Sequence, residues 1–121
     1  MAPNRLLQTA AIAHVLISLA HTAKGIPMFQ EPAFRRLPPI LLGAARAGWY
    51  QGSVFFAMMG LVNWKWATDG FNDSIDLAIA SLISVIYFGS SGWYVKTGDR
   101  PTAGVLSLVA LFQIASLRST M

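Results

Sequence analysis

The chain contains no cysteine. That removes disulfides, thiolate metal sites, covalent haem attachment and a cysteine nucleophile together, and it leaves the redox compartment unreadable. Charge is scarce as well: only 12% of the residues are Asp, Glu, Lys or Arg, against 55% hydrophobic, and the mean hydropathy is +0.52. A soluble helical bundle needs a polar outer face on each helix, and these residues cannot supply four of them. The net charge of +4 does not point to nucleic acid, because Lys and Arg stand at the ends of apolar runs without aromatic interleaving. Flanking a membrane accounts for them better. There is no glycine-rich nucleotide loop, and 121 residues leave no room for a separate soluble module.

What is present is long apolar segments. They predict helices over residues 6–23, 40–62, 74–95 and 101–118, and a hydrocarbon core of about 30 Å takes about 20 helical residues to cross. The expected fold is all-α: a single polytopic membrane domain over residues 1–121, built as a four-transmembrane-helix up-down-up-down bundle. Arg5, the apolar run after it and Ser18-Leu19-Ala20 also fit a signal peptide. His14 interrupts that run, and the three later segments would keep the chain in the membrane either way.

The connectors carry their own signals. Lys24-Gly25 reads as a helix stop, a cation before a glycine suited to a left-handed cap. Residues 25–39, with several prolines and Met28, Phe29 and Phe34, read as an interfacial segment or lid. Asn63-Trp64-Lys65-Trp66 reads as an interface anchor, Asp69-Gly70 as a turn, Asp73 with Asp76 as a helix start and Lys96 to Pro101 as a tight turn. Lys24, Arg35, Arg36, Lys96 and Arg100 fall on one side, and Arg5, Lys65 and Arg118 on the other. The positive-inside rule then puts the termini on the non-cytoplasmic side. The tripeptide Gly-Trp-Tyr occurs at 48–50 and 92–94, once mid-helix and once at a helix end, so it does not mark a duplication.

Polar residues in the apolar segments fall on single helical faces. His14, Ser18 and His21 follow i, i+4, i+7 spacing, as do Arg46, Tyr50 and Ser53, with Ala57 and Gly60 extending the stripe. Asp76, Ala80, Ser84, Tyr87, Ser91 and Tyr94 share a third face, and Gln113 and Ser116 lie on the fourth segment. Ionisable groups at membrane depth are functional candidates by default. The depths predict a pocket facing the first connector. His21, Arg46, Tyr50 and Glu31 are its candidate catalytic groups; His14, Trp49, Gln51, Tyr87, Ser91 and Tyr94 would line it for substrate. With no thiol, no metal set and no cofactor expected, the chemistry open to it is acid–base. Each residue also has a plainer reading: Arg46 snorkelling, the tyrosines and tryptophans as belt or packing groups, the histidines as interhelical hydrogen bonders. His14 and His21 stand two turns apart, too far to share one metal ion.

The stretches His21-Thr22-Ala23-Lys24-Gly25 and Ala47-Gly48-Trp49-Tyr50-Gln51-Gly52-Ser53, with Ser91-Gly92-Trp93-Tyr94, resemble small four-helix integral membrane proteins of filamentous fungi. Some of those belong to natural-product biosynthesis. The resemblance implies a cyclase, isomerase or epoxide-opening enzyme acting on a lipophilic polyketide or terpenoid, in the endoplasmic reticulum membrane. The competing expectation is a non-catalytic accessory or scaffold subunit. Expected partners are the lipid bilayer, a lipophilic small molecule, and either a second copy of the chain or a larger membrane enzyme.

Overall fold

The computed structural model describes residues 2–121. They form five helices, α1 (Arg5–Met28), α2 (Pro32–Arg35), α3 (Pro39–Asp69), α4 (Ser74–Thr97) and α5 (Arg100–Arg118), with no strand among the described residues. Three of them, α1, α4 and α5, are long and apolar enough to cross a membrane. Leu16, Leu19, Leu82, Val85 and Leu108 stand well exposed on these helices, as side chains that face lipid tails can. The chain is therefore a helical, multi-pass membrane protein. The fourth expected span falls in α3, which is the longest helix at 31 residues. It is not among the three because Arg46 and the run Trp49-Tyr50-Gln51-Gly52-Ser53 dilute its apolar middle.

The helices divide into two compact units, one of Met1–Ala10 with Lys65–Met121 and the other of Ala11–Trp64. In the first, the start of α1 is capped by Asn4, whose side-chain oxygen accepts from the N–H groups of Leu6 and Leu7 at 3.0 and 3.1 Å. Its amide Nδ2 donates to Ser119 Oγ at 2.9 Å, and its backbone N–H donates to the Ala67 carbonyl at 3.0 Å. Asp73 caps α4 by accepting from the N–H groups of Ile75 and Asp76. Gly98 ends it with φ of 91°, a left-handed conformation that a side chain would strain. Asp99 then caps α5, and the tight turn makes α4 and α5 neighbours. Between them Ser91 Oγ donates to the Ala103 carbonyl at 2.8 Å and lies 2.7 Å from Ser107 Oγ. Such bonds between helices hold where no water competes.

In the second unit α1 and α3 approach closely where side chains are small. A Cβ on Gly60 would stand 2.9 Å from Val15 Cγ2 and 3.2 Å from the Ala11 carbonyl oxygen. One turn or two along, Ser18 Oγ donates to the Ser53 carbonyl at 2.7 Å. Gly60→Leu is accordingly expected to force the two helices apart and to cost about 1–3 kcal/mol, the usual range for overpacking. Unfolding by SDS in mixed micelles, followed by circular dichroism, measures it; an unchanged midpoint would mean that the contact is slack.

Two boundaries differ from those expected. Helix α1 does not stop at Lys24-Gly25 but runs on to Met28 with Pro27 inside it. Gly25 is buried, and a Cβ there would meet Trp49 Nε1 at 2.6 Å, so the glycine serves a close approach rather than a cap. Helix α3 runs seven residues past Val62 to Asp69, through the segment read as an interface anchor. Trp66 in that segment is 1% exposed, not a membrane-surface belt residue. Its indole N–H donates to Asp76 Oδ1 at 2.7 Å, and Asp76 Oδ2 also accepts from the Asn72 N–H.

Candidate functional site

The polar stripe of α1 positions the site. His21 stands two turns beyond His14, about 10 Å along the axis, and its Nδ1 lies 2.9 Å from Ser53 Oγ of α3. Its ring stacks on Trp49 with centroids 3.9 Å apart and an interplanar angle of 11°. The edge of Phe56 approaches at 5.3 Å. Trp49 is fixed in turn, because its Nε1 donates to the His21 carbonyl at 2.8 Å. The imidazole is thus held on one face, on one edge and at one nitrogen.

Around this pair lies an aromatic cluster from the connector. Phe29, just past α1, is buried; it meets Phe34 of α2 at 5.0 Å, Trp49 at 6.5 Å and Tyr50 at 6.1 Å. The Arg46 guanidinium sits over the Phe29 ring at 5.7 Å, a cation–π contact that lets an exposed cation lie against the cluster. Tyr50 turns its hydroxyl toward Gly25 and remains 37% exposed. The connector is therefore packed down at Phe29 and Phe34, while Glu31 between them is exposed, with its side chain making no cap bond to α2.

Of the residues expected in the site, the structure joins His21, Trp49, Tyr50 and Arg46 through Phe29. Gln51 is not with them. It is exposed and lines an open groove on α3 of about 530 Å³ with Ala47, Val54, Phe55, Met58 and the other side of Tyr50. The reason is angular: Gln51 is two residues from Ser53, about 200° around the helix, so the two side chains leave on opposite faces. His14 is buried at 1% exposure. Tyr87, Ser91 and Tyr94 belong to the other unit, on α4. Tyr87 is fully buried there, Ser91 is used in the bonds to α5, and Tyr94 is half-buried above the helix cap. Ser53 and Phe29 were not among the expected site residues. Ser53 was visible as the i+7 partner of Arg46; nothing local distinguishes Phe29 from Phe34.

Chemically, the arrangement offers one imidazole with a hydroxyl on Nδ1, an exposed guanidinium and aromatic walls. Among the described residues no group of three or more His, Asp or Glu side chains is placed to hold a metal ion. No family model, curated protein or solved structure matches the chain.

Proposed function

We propose that the chain is a membrane-embedded enzyme performing cofactor-independent acid–base chemistry on a lipophilic polyketide or terpenoid intermediate: epoxide opening, cyclisation or isomerisation. The observation that supports this reading is the 2.9 Å contact between His21 Nδ1 and Ser53 Oγ. A hydroxyl that accepts from Nδ1–H holds the neutral ring in the tautomer with Nε2 free, the form that takes up and returns a proton. In an epoxide opening, the imidazolium Nε2–H protonates the ring oxygen as the C–O bond breaks. The incoming hydroxyl or water then bonds to carbon, and its proton returns to Nε2. Arg46 stabilises negative charge that develops on oxygen, and the rings of Trp49 and Tyr50 stabilise positive charge on carbon. Glu31 orients the attacking water from the connector.

The same proposal makes α3 the fourth span of an up-down-up-down bundle in the endoplasmic reticulum membrane. Both termini are then on the non-cytoplasmic side, and the first and third connectors are cytoplasmic. Its test is turnover of epoxide-bearing polyketides and terpenoids by membranes that express the chain, compared with membranes that do not.

The second reading, a non-catalytic accessory subunit, is favoured by the close packing at Gly25 and Gly60 and by a groove on the outside of α1 and α3. That groove is lined by Ile12, Leu16, Gly60, Leu61 and Trp64 and presents no polar surface. Absence of turnover across the substrate panel, with a larger membrane enzyme co-purifying, would replace the first reading by this one.

A further inference from the structure

The connector end of the second unit concentrates charge of one sign. Lys24 lies in the last turns of α1, Arg35 and Arg36 end α2, and Arg46 lies over Phe29. All four are exposed, and Glu31 is the only acidic residue in the unit. The contacts Phe29–Phe34 and Arg46–Phe29 bring α2 and α3 to the same end of α1. Helix α1 is long and apolar enough to cross a membrane and ends at Met28, and α2 follows it within a few residues; a helix of that kind carries such a connector at headgroup level.

From this geometry we propose that the connector is a recognition surface for anionic phospholipid, with Lys24, Arg35 and Arg36 contacting headgroup phosphate and carboxylate. A guanidinium forks onto a phosphate with two parallel bonds, and α2 carries two guanidiniums on a short rigid turn. Phe29 and Phe34 anchor that turn, so little order has to be gained on binding. The inference stands on the connector alone, independently of the enzymatic reading.

The experiment is energy transfer from the protein's tryptophans to a dansyl-labelled lipid in phosphatidylcholine vesicles containing the full chain. Labelled phosphatidylserine is expected to be enriched over labelled phosphatidylcholine by roughly fivefold for each contacting charge, the fold-change equivalent to surface attraction of one Lys or Arg. Arg35→Gln and Arg36→Gln should each remove about that factor. The triple variant with Lys24→Gln should bring the two lipids to parity with its helix content intact. Lys65→Gln with Arg118→Gln should leave the selectivity unchanged. Equal transfer to both lipids in the native chain would overturn the proposal, as would selectivity that survives in the single and triple variants. Displacement of the labelled lipid by soluble glycerophosphoserine would also overturn it, in favour of a site for a free anion.

Discussion

Trp66→Ala is expected to destabilise the unit that contains it by about 3–5 kcal/mol, the range for deleting a buried indole. Two effects combine. The large side chain is 1% exposed and packs edge-on against Phe71 at 5.3 Å, so its removal leaves a cavity. It also removes the N–H that Asp76 accepts at 2.7 Å, leaving a buried carboxylate with fewer donors where α3 gives way to α4. Trp66→Phe separates the two, since it retains most of the volume and loses only the donor; about 1–3 kcal/mol is expected. Asp76→Ala should cost a comparable amount because it strands the indole N–H. The double variant Trp66→Phe with Asp76→Ala should fall short of the sum of the single losses by roughly 1 kcal/mol or more, as partners in one bond do. SDS unfolding of the four proteins measures the cycle. Strict additivity would mean that the hydrogen bond contributes nothing beyond packing.

The places where the sequence was readable are those whose determinants are local. Asp73 caps α4 with its own side chain, Gly98 ends it by its own backbone freedom, and Asp99 starts α5, all within a few residues. The apolar runs likewise announce α1, α4 and α5 by length and composition. The misread places depend on residues distant in the chain. Lys24-Gly25 has the composition of a stop, yet Gly25 is needed where Trp49 crosses it, 24 positions later, and the helix continues. Trp66 has the composition of a membrane-surface anchor, but its acceptor Asp76 arrives only with the next helix. Periodicity identified the faces that carry His21 and Ser53. It gave no register between α1 and α3, so it could not say that Ser53 meets His21 or that Gln51 leaves on the far side.

Under the proposed acid–base function, that register carries the second large effect, on turnover rather than on stability. His21→Ala is expected to lower kcat on the converted substrate by about 10²–10⁴-fold, the usual contribution of a positioned acid–base group. Removing the ring also removes the stack on Trp49 and the contact with Ser53, so a fall in activity has to be read at equal folded protein. Ser53→Ala provides the separation. In the proposed mechanism its hydroxyl is a positioning group on Nδ1 that orients the imidazole without binding substrate, so its loss should lower kcat by about tenfold while leaving KM within about twofold. Ser53→Thr retains the hydroxyl and should recover most of the rate. A purely interhelical bond predicts a different pattern: Ser53→Ala would shift the SDS midpoint and leave kcat per folded molecule unchanged. Native turnover by His21→Ala would remove the imidazole from the chemistry. The 2.9 Å contact would then be read, with the Ser18–Ser53 bond beside it, as part of what holds α1 against α3.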